Sequence, residues 1–241
     1  MHRLINDTAP NYYDFEQEYL YLRDKEGRIY SDEVVAQLPL VSKSHHLKNE
    51  WKIRGRSCKW LVNYFSKKNK PYRILEIGCG NGWLSNQLAN VQNVQVVGMD
   101  INTMELEQAN RVFTRANLQF IYGDISNVCL NEQFDAIVFA AAFQYFESVG
   151  KILNACFGQL KEEGEVHIID TPFYNVEECA LAKERSKVYF NANSAPGMKA
   201  YYFHHSTASL EPYKYKILYS PKSFINKVFK INPFPWICIS K

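Results

Sequence analysis

The sequence predicts an α/β protein with an open, doubly wound, mostly parallel sheet of seven strands, helices on both faces and an N-terminal helical cap. From Tyr72 onward, short and nearly continuous apolar runs alternate with helical stretches, as in βαβ units around a parallel sheet buried on both faces. Five such units are too few for a closed eight-stranded barrel, so the sheet is expected to be open.

The first segment, residues 1–70, is predicted to form the cap. A turn at 27–32 precedes a helix from about His46 to Phe65, whose apolar residues recur at spacings of three and four, with a break near Gly55. The helix is expected to end at the basic cluster 67–70 and Pro71, because cations favour a helix C-terminus and proline cannot continue a helix.

The second segment, residues 71–241, holds the sheet. Its five apolar runs are Arg73–Ile77, Gln95–Met99, Gln119–Tyr122, Ala136–Ala140 and Val166–Asp170. Helices are predicted between them, at about 82–91, 103–116 and 147–161. After Pro172 we expect a helix at about 175–190, a polar loop, a strand at Tyr215–Tyr219, a short helix at 222–229 and a last strand at 235–239.

Composition and charge exclude several classes of protein. An apolar fraction of 46% and a charged fraction of 22% suit a globular chain with a buried core, which excludes disorder over most of its length. A net charge of +3 is too small to indicate a nucleic-acid partner. Met198–Lys241 nevertheless holds seven lysines and one acidic residue, Glu211, and we interpret it as a solvated basic surface. Contact with an anionic substrate or RNA is the alternative.

The cysteines and the N-terminus bear on the compartment. Six cysteines stand far apart, with no C-x-x-C pair and no histidine at zinc spacing, so we expect neither a disulfide framework nor a metal site. Met1–Asp7 has no apolar signal region, and nowhere do eighteen apolar residues run together. We therefore expect a cytoplasmic protein without a membrane partner.

The loop after the first predicted strand is the first place to look for a ligand, because open parallel sheets bind ligands beyond the carboxyl ends of their strands. An acid, three glycines at alternate positions and a tryptophan make up the segment Glu76, Ile77, Gly78, Cys79, Gly80, Asn81, Gly82 and Trp83. The glycines let backbone N–H groups approach a bound group closely. A dinucleotide loop would have a third glycine where Trp83 stands, and Glu76 favours a cationic ligand over a pyrophosphate.

This segment resembles motif I of class I S-adenosylmethionine-dependent methyltransferases, and the order of later residues is similar to their small-molecule group called type 11. The resemblance covers about residues 71–172. It implies a Rossmann-like fold, S-adenosylmethionine as the cofactor with S-adenosylhomocysteine as its product, and the loop from Glu76 to Trp83 as part of the cofactor site.

Two later acids fit the same resemblance. In the family, an acid at the tip of the second strand binds both ribose hydroxyls and the next residue covers the adenine, which implies these roles for Asp100 and Ile101. An acid after the third strand accepts a hydrogen bond from the adenine amine, assisted by the backbone of the following residue, which implies Asp124 and Ile125. Because NAD enzymes also carry an acid like Asp100, that acid indicates an adenosine ribose rather than a sulfonium.

The fourth strand leads in the family to small residues beside the methyl group, a position that Ala140 and Ala141 fill here. Many relatives have a histidine or asparagine near Gln144, so this loop is not expected to supply a base. Asp135, at the far end of the strand, is interpreted as structural.

Methyl transfer from a sulfonium is an in-line displacement with a neutral leaving group, so no catalytic residue is obligatory and a base is needed only if the acceptor must lose a proton. The candidates are His45, His204 and Tyr145, with His46 and His205 beside the two histidines. In related enzymes an N-terminal cap and the segment after the fifth strand close over the acceptor. This implies that residues 173–212 are an insertion on the substrate side.

We therefore expect an enzyme, monomeric or homodimeric, that transfers a methyl group to an O, N or C atom of a small molecule. Methylation of RNA or protein is the first alternative, favoured by the basic C-terminal segment. Ala140–Phe143 stands where amine-methylating relatives have N-P-P-[YF], which disfavours planar amines on bases or glutamine. An NAD-dependent oxidoreductase, opposed by Glu76 and Trp83, and a non-catalytic adenosyl-cofactor-binding module are the others.

Overall fold

The computed structural model describes residues 2–3, 12–128, 130 and 133–241. Cys129 and most of the N-terminal stretch expected to lack a signal region lie outside the described residues. The central sheet contains seven strands: β1 (Tyr72–Ile77), β2 (Val94–Asp100), β3 (Leu118–Tyr122), β4 (Phe134–Ala140), β5 (Leu160–Ile169), β6 (Tyr215–Tyr219) and β7 (Trp236–Ser240).

The strand order confirms the predicted fold class. Across the sheet the strands run β3-β2-β1-β4-β5-β7-β6, and β1 to β5 are parallel, whereas β7 is antiparallel to both β5 and β6. The order reverses at β1 and β4, which is where an open parallel sheet forms its ligand-binding crevice. A further two-residue strand, His2–Arg3, pairs in parallel with the outer edge of β3.

Eight helices are described around the sheet: α1 (Tyr13–Lys25), α2 (Asp32–Gln37), α3 (Lys48–Ser66), α4 (Trp83–Leu88), α5 (Thr103–Val112), α6 (Val149–Gln159), α7 (Val176–Ala192) and α8 (Phe224–Phe229). Strand β4 shows how both faces are buried. Ala136 and Val138 pack into the core formed with α3, α4 and α5, whereas Ile137 and Phe139 pack into the core formed with α6. Successive strand residues point to opposite faces, so a strand buried on both faces is apolar throughout.

The prediction of a break near Gly55 is wrong, because α3 is continuous through this position. Gly55 instead allows close packing: a Cβ there would lie 3.3 Å from Cγ of Pro39. Helix α5 ends four residues earlier than predicted, and β5 begins six residues earlier, at Leu160, which pairs with Phe134. Among the described residues, no helix is both long and apolar enough to cross a membrane.

Helix α1 was not predicted, and it is the part of the cap that reaches the carboxyl edge of the sheet. The backbone N–H of Thr103, just beyond β2, donates to Oε1 of Glu16 at 2.7 Å. The hydroxyl of Tyr12, directly before the helix, donates to Oδ2 of Asp124 at 2.5 Å beyond β3. Helix α1 therefore covers the ends of the strands where the predicted site residues lie.

Candidate active site

The glycine loop after β1 adopts a backbone that side chains would disturb. Gly78, Gly80 and Gly82 have φ angles of 71°, 52° and 74°, in the left-handed region that favours glycine. A Cβ on Gly78 would lie 2.5 Å from the Cβ of Ala142. A Cβ on Gly82 would lie 2.4 Å from the ring of Phe120. The loop thus passes close to the neighbouring strand ends and presents backbone where side chains would otherwise stand.

Beyond β2 and β3 lies a cavity of about 320 Å³, here called the acidic pocket after Asp100 and Asp124. Ile101 and Ile125, the residues that follow these acids, also line it. Helix α1 and the residue before it close the other side with aromatic rings, from Tyr12, Phe15 and Tyr19. The fold therefore brings together the four residues that the resemblance assigns to the adenosine moiety.

Both acids of this pocket hold backbone and side-chain donors. Asp100 accepts from the N–H of Gly80 at 2.7 Å and from that of Asn102 at 2.8 Å, so its carboxylate links the glycine loop to the end of β2. Asp124 accepts from Ser126 N–H, at 2.8 Å, and from the side chain of Asn127 as well as from Tyr12. Each carboxylate oxygen has two lone pairs, so both acids retain acceptor capacity for a ligand.

A second cavity, of about 80 Å³, adjoins the acidic pocket at Gly78 and Ala141. Three guanidinium groups from the cap segment line it, and we call it the arginine cleft: Arg23, Arg28 and Arg54. The rest of its wall includes the predicted loop residues Glu76, Gly78, Cys79, Gly80, Asn81 and Trp83, together with Ala140 and Ala141. Arginines and acids in one small cleft suit a ligand that carries both a carboxylate and an ammonium group.

Two acids of the arginine cleft are deeply buried. Glu76 is 2% exposed and accepts from Oγ of Ser85, and burial raises the pKa of its carboxyl to about 8. Glu105, from α5, has its pKa raised to about 7, first by burial and then by the charge of Asp100. Near neutral pH both groups can therefore lose a proton when a cationic partner binds beside them.

The arginines of the cleft are held by acids of the cap. Arg28 donates two hydrogen bonds to the carboxylate of Glu50 at 2.6 Å, and Arg54 donates to the same carboxylate at 2.9 Å. Arg23 pairs with Glu26 at 3.0 Å and donates to the hydroxyl of Tyr145 at 3.3 Å. These arginines were missed from the sequence, because they belong to no motif and only the packing of α1 and α3 brings them together.

Two buried polar atoms beside the predicted cofactor residues have no hydrogen-bond partner among the described residues: Oδ1 of Asn81 and Nδ2 of Asn102. Asn81 lines the arginine cleft, and Asn102 lines the acidic pocket. An unpaired buried polar atom is costly, and a bound ligand is one way of satisfying it. Asn102 is therefore a further candidate contact, which sequence reasoning did not single out.

A third and larger space, of about 710 Å³, opens between α1, α3 and α7. We call it the aromatic cavity after the rings in its wall: Tyr145, Tyr174, Tyr189, Phe190, Tyr202 and Phe234. It meets the other two at Ala141, which lines all three cavities and has a φ of 55°. Of the predicted cofactor residues, only Gly82 does not line the acidic pocket or the arginine cleft, since it caps α4.

The three candidate bases lie in different environments. Tyr145 lines both the acidic pocket and the aromatic cavity. His45 accepts from the N–H of Leu47 at 3.1 Å and stacks on His46, and His204 lies 2.8 Å from Oγ of Ser186, behind the cavity wall. Among the described residues of the three cavity walls, neither His45 nor His204 is present.

Gln144 is buried and has a structural part in this region. Its amide nitrogen donates to the carbonyl of Ala141 at 2.6 Å, and its amide oxygen accepts from the hydroxyl of Thr171 at 2.9 Å. The side chain thereby joins the loops that follow β4 and β5.

A separate group of Glu165, His167 and Cys238 has ligand atoms close enough to hold a metal ion. It lies on β5 and β7, and Lys68 already pairs with Glu165 at 2.9 Å. The lysine ammonium supplies the positive charge that this carboxylate would otherwise accept from a cation. The five described cysteines are free thiols.

Comparison with known proteins gives one family. Residues 74–164 match the family model described as a methyltransferase domain. The chain is 29% identical over 144 residues to a malonyl-[acyl-carrier protein] O-methyltransferase of Priestia megaterium, covering 57% of this chain and 52% of that protein. It is 26% identical over 206 residues to the protein of that name from Acetivibrio thermocellus, covering 75% and 71%. The match thus spans about half the length of the first relative.

Solved structures extend the similarity of fold to nearly the whole chain. The plantazolicin methyltransferase BpumL, in complex with a desmethylplantazolicin analogue and S-adenosylhomocysteine, superimposes with a TM-score of 0.59 at 18% identity, covering 95% of this chain and 97% of that one. The plantazolicin methyltransferase BamL gives 0.57 at 18% identity, covering 92% and 98%. At this identity the superposition shows a shared fold, including the cap and the segments after β5.

Proposed function

Since residues 74–164 form a class I S-adenosylmethionine-dependent methyltransferase domain, we propose that the chain transfers a methyl group from S-adenosylmethionine to a small-molecule acceptor. The observation that supports this most strongly is the meeting of three cavities at Ala141. The acidic pocket suits an adenosine, the arginine cleft suits an amino-acid end, and the aromatic cavity suits an acceptor. A methyl group between adenosine and amino-acid moieties would face that cavity.

The residues of the first two cavities fit the cofactor in charge and shape. Asp100 would hold the ribose hydroxyls and Asp124 the adenine amine, as the resemblance implies, while Ile101 and Ile125 would contact the base. Glu76 would face the ammonium group of the amino-acid end. The glycine loop leaves a cradle that a Cβ on Gly78 would fill, and the cofactor supplies an electrophilic methyl group there.

The chain's own part in the reaction is mainly to hold the two reactants in line, since a neutral thioether leaves without assistance. Helix α1 covers the cofactor site and helps to exclude water, and Tyr145 contacts both the cofactor side and the acceptor side. Methylation of RNA or protein is not favoured. The malonyl-[acyl-carrier protein] and plantazolicin enzymes act on small or carrier-bound groups by name, which supports a small acceptor for this chain.

A cytoplasmic location and a monomeric or homodimeric state remain part of the proposal. The free thiols of the five described cysteines support a reducing compartment.

Calorimetry of the purified chain with S-adenosylhomocysteine and with NAD tests the proposal. We expect S-adenosylhomocysteine to bind in the micromolar range and NAD not to bind, because Glu76 opposes a pyrophosphate and the arginine cleft is too small for a second nucleotide. Failure of S-adenosylhomocysteine to bind at hundreds of micromolar would refute the cofactor assignment. Tight NAD binding would instead favour the oxidoreductase alternative.

The pH dependence of this binding gives a second prediction. The pKa of Glu76 is raised to about 8 by burial, so the carboxyl is mostly protonated at pH 6 and ionises as the pH rises. Because the ligand ammonium needs the ionised form, the affinity for S-adenosylhomocysteine should increase up to about tenfold per pH unit below that pKa. Titration calorimetry between pH 5 and 7.5 measures this slope.

Two variants identify the group responsible. Glu76→Gln should flatten the slope and weaken binding at the upper end of the range. Glu105→Gln removes the neighbouring acid whose pKa is about 7 and should leave the component due to Glu76. An unchanged slope in Glu76→Gln would exclude this carboxyl as the partner of the ammonium group.

A further inference from the structure

We propose that Asp170 binds the nucleophilic group of the methyl acceptor and takes its proton, and that this group is an amine. The proposal rests on the proposed function and adds the acceptor class to it. Asp170 directly follows β5, lines the aromatic cavity and was not a candidate from the sequence.

The position of Asp170 is fixed by strand pairing. Ala140 pairs with Ile169 in the parallel ladder of β4 and β5, and the N–H of Ala141 donates to the carbonyl of Ile169 at 3.0 Å. Ala141 and Asp170 therefore leave the sheet side by side. Since Ala141 is where the cofactor cavities meet the aromatic cavity, its neighbour Asp170 stands on the acceptor side of the same junction.

The backbone at both residues is unusual. Ala141 has a φ of 55° and Asp170 a φ of 52°, in the left-handed region that residues with a Cβ rarely adopt. Such conformations persist only where the surrounding structure enforces them, and they cluster at functional sites. In Asp170 this conformation is combined with a carboxyl group that lines a cavity.

The carboxylate of Asp170 is buried and held by neutral partners. It is 7% exposed, and Oγ of Ser57 donates to its Oδ1 at 2.6 Å. Asn232 also hydrogen-bonds to Asp170, and its Nδ2 donates to Oγ of Ser57 at 2.9 Å. These contacts fix the orientation of the carboxylate without neutralising its charge. A buried carboxylate with neutral partners is stabilised by a cationic ligand.

The charged groups around Asp170 are already engaged with one another. Arg54, on α3, lowers the pKa of Asp170, but it donates to Glu50 at 2.9 Å. Glu50 raises that pKa, and burial raises it most, so the carboxyl is a stronger base than an exposed aspartate. Cys58, on the same helix, also senses the Asp170 charge through its own raised pKa.

The wall of the aromatic cavity suits an ammonium group that carries an apolar body. Tyr145 and Phe190 both pack edge-on against Tyr202, with ring centroids 5.8 Å and 5.5 Å apart. Aromatic faces attract cations, and their rings bury an apolar ligand. A carboxylate acceptor would be repelled by Asp170 and would need no base, so the geometry favours an amine over a carboxylate.

The step balances in atoms and charge. The bound ammonium gives one proton to Asp170 and becomes a neutral amine. The nitrogen lone pair then forms the N–C bond to the methyl carbon while the C–S bond breaks and its electron pair stays on sulfur, leaving a neutral thioether and a methylammonium product. Asp170 returns the proton to solvent as the product leaves.

The test uses the full chain saturated with S-adenosylhomocysteine and three probes of one skeleton: phenethylamine, phenethyl alcohol and phenylacetate. Binding is measured by NMR titration at millimolar concentration. We expect phenethylamine to bind more tightly than the alcohol and phenylacetate not to bind. Asp170→Asn should weaken phenethylamine by about tenfold or more, the loss expected for a charge-assisted hydrogen bond, with unchanged affinity for S-adenosylhomocysteine.

A structural tie between α3 and the sheet would predict otherwise. Asp135→Asn, at the opposite end of β4, is the matched control and should leave binding of both ligands unchanged. In the wild-type chain, labelled with ¹³C in aspartate carboxyl groups, phenethylamine should lower the pKa of Asp170, a change that a purely structural carboxyl would not show and that needs no variant.

Three outcomes overturn the proposal: phenylacetate binds in preference to phenethylamine, Asp170→Asn binds phenethylamine as well as the wild type, or none of the probes binds to the complex with S-adenosylhomocysteine. Failure of S-adenosylhomocysteine itself to bind is a different result, since it refutes the proposed function.

Discussion

Asp100→Ala is expected to weaken binding of S-adenosylhomocysteine about hundredfold or more. Two charge-assisted hydrogen bonds to the ribose hydroxyls are lost, at about 1.5 to 3 kcal/mol each, and every 1.4 kcal/mol corresponds to about tenfold in affinity. The carboxylate also accepts from Gly80 and Asn102, so its removal releases the glycine loop from the end of β2. Calorimetry with the wild type and the variant measures the difference.

The fold should survive this change. Asp100 is buried, and burial raises the pKa of its carboxyl, so alanine removes a charge that is costly to bury. It also removes a like charge beside Glu105. Against these gains stand two unpaired backbone N–H groups, at about 1 to 3 kcal/mol each. We therefore expect a modest loss in the free energy of unfolding, measured in urea, and a large loss in affinity.

Asp135→Ala is the matched control for Asp100→Ala. Asp135 also accepts a backbone hydrogen bond, from Arg73 at 2.8 Å, and pairs with Lys161 at 2.8 Å, but it lies at the opposite end of the sheet. Its removal should lower stability without changing affinity. If Asp100→Ala bound S-adenosylhomocysteine like the wild type, Asp100 would have no part in the pocket, and equal losses in both variants would indicate a general effect on the fold.

The sheet and the family were predictable because their signals are local. Strands buried on both faces leave apolar runs, and the glycine loop with Asp100 and Asp124 recurs at fixed positions along these runs. The strand order confirms the fold class, and the match of residues 74–164 to a methyltransferase domain confirms the family. The individual cofactor contacts, and the boundary near residue 70, stay predictions.

Helix α1 was not predictable from periodicity. Its aromatic residues are spread around the helix: Tyr13 and Tyr21 are exposed, whereas Phe15 and Tyr19 face the acidic pocket. A helix whose apolar residues do not form one stripe lacks the pattern by which an amphipathic helix is identified. Its neighbours Arg28 and Arg54, and its own Arg23, become site residues only through tertiary packing.

The candidate bases show a different limit. His45 and His204 were selected for their side-chain chemistry, in segments without a motif, and distance from the strand ends could not be judged from sequence. Asp170 was visible as the last residue of a predicted strand, but its left-handed backbone and its contact with Ser57, 113 positions away, arise only in the folded chain. Buried acids at strand ends are therefore candidate bases on the same footing as histidines.

Gly78→Ala is expected to abolish cofactor binding, with an affinity for S-adenosylhomocysteine lower by more than about hundredfold, and to destabilise the fold by about 2 to 4 kcal/mol. The new Cβ would lie 2.5 Å from the Cβ of Ala142, and φ is 71°, where alanine is strained. Because Ala142 Cβ is attached directly to the main chain, relief requires backbone movement. That movement would occur where Gly78 and Ala142 line the acidic pocket.

Gly158→Ala separates this local effect from the general effect of replacing a glycine. Gly158 lies in α6 and has open space for a methyl group, since no atom comes within 4 Å of a Cβ placed there. Alanine has the higher helix propensity, so this variant should gain about 0.5 to 1 kcal/mol in urea unfolding and bind S-adenosylhomocysteine normally. Wild-type affinity in Gly78→Ala would mean that the loop can shift away from Ala142 and that its tight backbone is not required for the ligand.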